Sequence, residues 1–148
     1  MRILRASETK AILAQLEKQF GITKLPGILI QAGDEKLRVY TGNLPAEQLT
    51  TLEEKSHIEG IGTYLLRQEH DLRLSFDALH ILKDQITKGI VDLSDEEFHA
   101  WIQGNDVKKE SQNQGTVAVR YKGDFVGCGK LSKGNLINHV PKERRLRK

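Results

Sequence analysis

The chain holds one thiol, Cys128, and the apolar run that follows it carries His139, the residue types of a nucleophile and its base. Gly127 and Gly129 flank that cysteine inside a strand-like stretch, where a small side chain usually packs rather than reacts, so catalysis is the weaker reading. Glu96 and His99 have the Glu-x-x-His separation of carboxylate-bridged metal sites. Such sites take a second pair and two further carboxylates from other helices, and none is evident. The histidines at 57, 70, 80, 99 and 139 show no paired ligand spacing. No metal, cofactor or catalytic residue is therefore expected. Gly127-Cys128-Gly129-Lys130 has the composition of a phosphate loop, yet such loops join a strand to a helix N-terminus, and this one runs within a strand. Two readings remain for its glycines: a groove for the backbone of a polyanion, with Lys130 and Lys133 supplying charge, or room for tight strand coiling in a small barrel.

Charge is distributed unevenly. From Thr116 to Lys148 there are nine Lys/Arg against Asp124 and Glu143, a net of +7, whereas residues 1–115 carry 14 Lys/Arg and 18 Asp/Glu, a net of −4. A basic end on a mildly acidic protein points to a polyanion, most often nucleic acid, because each neutralised phosphate releases counterions. The competing reading for the last five residues is a frayed, solvated tail. With 148 residues, the chain can bury a core without disulfides or metal. The longest branched aliphatic run is Ile28-Leu29-Ile30, so neither a membrane span nor a signal peptide is expected. A lone cysteine suits a reducing cytosol, and a cytoplasmic location is the expectation.

The elements that must position these residues follow from periodicity. Ile12, Leu13, Leu16 and Phe20 form one stripe of an opening helix, with Ser7 as its expected N-cap and Gly21 as its stop. Strands are expected over Gly27–Gln31 and Leu37–Tyr40, a helix from Pro45, and an extended stretch from Ile58 to Arg67. Leu72 and Leu74 share one strand face, while Asp71, Arg73 and Ser75 share the other. A helix from about Asp77 follows. Gly89–Leu93 reads as a strand, and Ser94-Asp95-Glu96-Glu97 as a capping box with Leu93 and Phe98 placed as a hydrophobic staple. Trp101 and Ile102 continue that helix to Gly104, and Ser111–Gly115 is a loop. Thr116–Tyr121, Phe125–Leu131 and Leu136–Val140 then make a three-stranded antiparallel meander.

The segments GIVDLSDEEFHAWIQGNDV and GTVAVRYKGDFVGCGKLSKGNLINHVPKERR resemble a PUA domain, a small RNA-binding pseudo-barrel, and especially the PUA-like end of Sun-type RNA cytosine-5 methyltransferases. The segment IEGIGTYLLRQEHDLRLSFDALHIL is similar to the pre-PUA domain of a small ribosome-biogenesis factor of archaea and eukaryotes. The resemblance implies an α+β fold, with a pre-PUA domain over residues 1–86 and a PUA-like β pseudo-barrel over 87–148. Only about sixty residues remain for the barrel, so its closing strand is expected to be abbreviated or borrowed. The resemblance implies RNA contacts at Arg120, Lys122, Lys130, Lys133, Asn138, His139, Lys142, Arg144 and Arg145. It further implies a structured RNA partner, ribosomal RNA foremost, and a role beside a separate RNA-modifying or ribosome-assembly protein. No strand–Gly-rich-turn–helix cofactor site and no second cysteine are present, so the expected protein keeps the RNA-targeting end without the methyltransferase chemistry. With 5% aromatic residues, phosphate contact and shape should dominate recognition over base stacking. The alternative is a protein-interaction adaptor whose basic tail binds an acidic partner.

Overall fold

The computed structural model describes residues 1–56 and 60–146. Ile58, the expected start of one extended stretch, therefore lies outside the described residues. The first sheet is antiparallel throughout, with strands in chain order: β1 (Arg2–Ile3), β2 (Ile28–Ala32), β3 (Lys36–Tyr40), β4 (Thr63–Gln68) and β5 (Leu72–Leu74). Helix α1 (Ala6–Phe20) buries Ile12, Leu16 and Phe20, four residues apart and thus on one stripe. Its start differs from expectation. Arg5, not Ser7, is the N-cap, because the Glu8 carboxylate accepts the Arg5 N–H at 2.8 Å. The Arg2 guanidinium at 2.8 Å, assisted by that N–H, pulls the Glu8 carboxyl down to about 2. The helix stops at Gly21, whose φ of 82° is the left-handed conformation that a glycine adopts without strain. Helix α2 (Ala46–Lys55) buries Leu49. Helix α3 (Phe76–Ile81) is capped by Ser75, whose hydroxyl accepts the Ala78 N–H at 3.0 Å and donates to the Tyr64 carbonyl at 2.6 Å.

The second sheet has the order β6 (Ile90–Asp92), β8 (Gly115–Tyr121), β9 (Asp124–Ser132), β10 (Asn135–Asn138), β7 (Val107–Lys108). Strands β8, β9 and β10 form the expected antiparallel meander; β6 adds to it in parallel and the short β7 covers the far edge. The result is a curled half-barrel. Among the described residues, no strand of the first sheet hydrogen-bonds into it. Helix α4 (Asp95–Ile102) begins at the expected capping box: Ser94 N–H donates to Glu97 at 2.8 Å, and Glu97 N–H donates to the Ser94 hydroxyl at 3.3 Å. Leu93 and Phe98 join the same apolar cluster.

Strands β8 and β9 are apolar on both faces. Val117, Val119 and Leu131 pack with Trp101, Leu136 and Val140. Ala118, Phe125 and Cys128 face the other way, into the core built by α1, β5 and α3. Hydrogen bonds order the chain on either side of this seam, and the Asp71–Thr116 bond crosses it. The Gln19 amide donates to Leu72 O at 3.0 Å and accepts from Leu72 N at 2.9 Å, while Asp71 accepts the Thr116 N–H at 3.1 Å. Ala118 N–H donates to Gly89 O at 2.8 Å.

Ser94→Ala is expected to destabilise the protein by about 1 kcal/mol, the usual cost of losing a helix N-cap. Chemical denaturation followed by far-UV circular dichroism checks this; an unchanged midpoint contradicts the assigned cap.

Candidate nucleic-acid interface

The glycines beside Cys128 do not form a groove. An added Cβ at Gly127 would lie 2.6 Å from Val140 Cγ2, and one at Gly129 would lie 2.8 Å from both Ile137 O and Trp101 Cη2. The fully buried Trp101 indole occupies that space and donates from Nε1 to Val126 O at 3.0 Å. Gly127 also has a φ of 137°, which an L side chain rarely adopts. Of the two readings of these glycines the groove is excluded, because its space is packed core, and close packing explains both.

The nine expected contact residues fall into separate groups. Lys122 and Lys133 stand exposed in the two hairpin turns that open and close β9, at φ 48° and 51°. Each precedes a glycine of positive φ, Gly123 at 86° and Gly134 at 77°, the backbone of primed hairpin turns. Lys122 Nζ lies 3.7 Å from Asp95 and 5.3 Å from the Tyr121 ring centroid. Tyr121 itself stacks on Phe98 at 3.9 Å and donates to Asp95 at 2.6 Å. Arg120, half-buried on β8, grips Asp92 through two bonds of 2.7 and 3.0 Å, and its guanidinium holds the Asp92 carboxyl below the usual range. Lys130 is exposed on β9, opposite Ile137 of β10.

Asn138 is corrected to a structural role, and Arg145 is partly engaged in one. Asn138 is buried: its amide donates to Trp101 O at 2.8 Å and Asn105 O at 3.1 Å, and its Oδ1 accepts Val140 N–H at 2.8 Å. With both ends of the amide engaged inside, Asn138 has nothing to offer an RNA. Arg145 donates from Nε to Val140 O at 2.9 Å and lies over Gly104, where an added Cβ would come within 2.5 Å of its Cδ. The end of the chain is pinned rather than frayed as far as Leu146, whose N–H donates to Ile102 O at 2.7 Å. Lys142 and Arg144 sit exposed on the single helical turn Lys142–Arg144; Arg144 reaches Asp77 at 3.3 Å and covers the Phe76 ring at 5.2 Å. Arg147 and Lys148 lie outside the described residues.

His139 and Arg144 border a cleft of about 340 Å³ between the sheets, whose other wall is Lys36, Tyr64, Arg67 and Arg73. Sequence reasoning did not select those first-sheet residues. The alternation at β5 placed Arg73 on the face opposite Leu72 and Leu74, but only the folded seam shows what that face meets. Cys128 also borders the cleft, and burial pushes its thiol up to about 12, the reverse of an activated nucleophile. His139 supplies no base to it through Nδ1, which is buried without a hydrogen-bond partner, and burial lowers the affinity of that imidazole for a proton. Glu96 and His99 are both exposed on α4, and among the described residues no three His, Cys, Asp or Glu side chains converge as a metal site. No helix among them is long and apolar enough to cross a membrane.

A parallel entry strand, a boxed helix and a meander curled around a tryptophan define the second sheet as a PUA-like domain within an α+β fold. Residues 88–146 match the family model of the methyltransferase RsmF PUA domain. The ribosomal RNA small subunit methyltransferase F of Aeromonas salmonicida (strain A449) is 28% identical over 142 residues, covering 95% of this chain and 28% of that protein. Its counterpart in Vibrio vulnificus (strain YJ016) is 34% identical over 56 residues, 38% of this chain and 12% of the relative. That of Vibrio atlanticus (strain LGP32) is 40% identical over 55 residues, 36% of this chain and 12% of the relative. Residues 88–146 are thus similar to the PUA domain of the methyltransferase RsmF, and 95% of the chain is similar to a part of ribosomal RNA small subunit methyltransferase F. The chain spans between 12% and 28% of the length of these curated relatives.

The native thiol is expected to resist a chromogenic disulfide reagent at neutral pH and to react fully in denaturant, and Cys128→Ala should leave RNA binding unchanged. Rapid native reaction contradicts the packing assignment of this residue.

Proposed function

We propose that this protein binds structured RNA, ribosomal RNA in particular, in the cytoplasm, and that it catalyses no reaction on it. Residues 1–86 act as a pre-PUA unit and residues 87–148 as the RNA-binding unit. It serves ribosome biogenesis or RNA modification by bringing a separate enzyme or assembly protein to the RNA. Similarity to ribosomal RNA small subunit methyltransferase F and the PUA match support the RNA class.

One observation carries the reading of the binding face. Both turns that bound β9 hold a lysine in the left-handed region, where Asn or Gly is accommodated more readily. A lysine there costs about 1 kcal/mol of backbone strain. Recurrence of that cost at both ends of one strand is explained by a need for a positive charge at each turn. Lys130, between them and exposed, adds a third cation, and Lys142 and Arg144 extend the set past β10. Arg120 contributes only when RNA competes for the guanidinium with Asp92.

About four phosphates neutralised on a duplex-like RNA give a slope of log affinity against log salt of roughly −3 to −4. Lys130→Ala with Lys133→Ala, and separately Lys142→Ala with Arg144→Ala, should each flatten that slope by about 1 to 2 units and weaken all RNAs alike. Fluorescence anisotropy across a salt series measures this. If neither pair changes RNA binding in a folded protein, the adaptor reading, with an acidic protein as partner, takes its place.

A further inference from the structure

The cleft between the sheets carries chemistry that a phosphate-tracking surface does not need. Arg73 is its central cation. Its side chain is 23% exposed and its Nη2 pairs with Glu69 at 3.2 Å, with no further side-chain partner for the guanidinium among the described residues. Most of its five donors are unspent. Arg67, by contrast, is held by Glu35 and Glu69. Across the cleft, His139 Nδ1 is buried and unpartnered. Tyr64, half-buried, and the Phe76 ring with Arg144 laid over it supply flat surfaces, the kind on which bases stack. A volume of about 340 Å³ is at the small end of ligand pockets and admits a nucleotide but not a base-paired helix.

We infer that this cleft takes one unpaired nucleotide of the bound RNA, its phosphate on Arg73 and its base against Tyr64 and the Phe76–Arg144 pair, within reach of His139. The inference rests on the RNA-binding reading and adds to it a preference for RNA that presents a base outside its helix. Entry of the nucleotide engages the donors of Arg73 that Glu69 leaves free. Arg144 serves both surfaces, but the other cations that track the helix backbone, on the hairpin turns and at Lys142, line no part of the cleft, so helix binding and nucleotide capture are separable through Arg73 and Tyr64.

The test uses the full chain and two blunt RNA hairpins, identical except that one carries a single bulged adenosine, with affinity read by anisotropy at one salt concentration. The bulged hairpin should bind about tenfold tighter or more, the scale of one base stacked on an aromatic side chain. Arg73→Gln should abolish that preference while affinity for the paired hairpin stays within about twofold, since the phosphate-tracking cations are untouched. Because Arg73 also pairs with Glu69, Tyr64→Leu serves as an independent variant with the same expected loss, and thermal melts report folding of both. Equal affinity of the wild type for the two hairpins, or a preference that survives in both folded variants, overturns the inference and leaves the RNA-binding reading standing. Failure to bind either hairpin overturns both.

Discussion

The double burial of β8 and β9 is the constraint on which the rest of the molecule depends. One face of these strands presents Val117, Val119 and Leu131 to the core under α4; the other presents Ala118, Phe125 and Cys128 to the core under α1 and α3. Small side chains at 118 and 128 let the first sheet approach. Gly127 and Gly129 let Trp101 approach from the opposite side. The two sheets are therefore held by a shared pair of strands, and the cleft is the rim of that shared packing. The same burial makes the thiol inert, so a reading of Cys128 as a nucleophile fails for the reason that the fold succeeds.

Burial of both faces also decides where charge can stand. Within β8 and β9, a cation is tolerated only where the strands leave the cores, and the exposed lysines are indeed at the turns, 122 and 133, and near the end of β9, at 130. Nine residues of β9 extend about 30 Å, so on the proposed RNA-binding reading the two turn lysines would meet phosphates that are far apart along an RNA helix. A surface of that kind reads the shape of a folded RNA rather than a run of bases. The first-sheet cations Lys36, Arg67 and Arg73 line the seam instead.

Much of this was legible from the residues. The boxed start of α4, the stop of α1 at Gly21 and the β8–β9–β10 meander all come from local signals, capping spacing and alternation, that tertiary context did not override. The start of α1 was misplaced because a glutamate three residues into the helix satisfied the N-cap backbone without help from Ser7. Asn138 and Arg145 sit in a basic, polar segment, and residue type alone does not show that their side chains turn inward to bond carbonyl groups. The polar face Asp71, Arg73, Ser75 was correctly grouped by alternation. Its three members then took three tasks, a backbone bond to Thr116, a cleft wall and a helix cap, because alternation says which residues share a face and not what that face meets. Counting charges along the chain likewise assigned residues 1–115 to the acidic side and hid the arginines that the seam gathers.

The turns of the second sheet are proposed to hold the RNA while the cleft between the sheets takes one unpaired nucleotide of it, and amide hydrogen exchange with and without a saturating hairpin that carries a bulged adenosine tests both together. The account predicts added protection at β5 around Arg73, at the end of β9 around Lys130 and at residues 139–144 in the same complex. Protection confined to residues from Lys142 onward, with β5 and β9 exchanging as in the free protein, contradicts it.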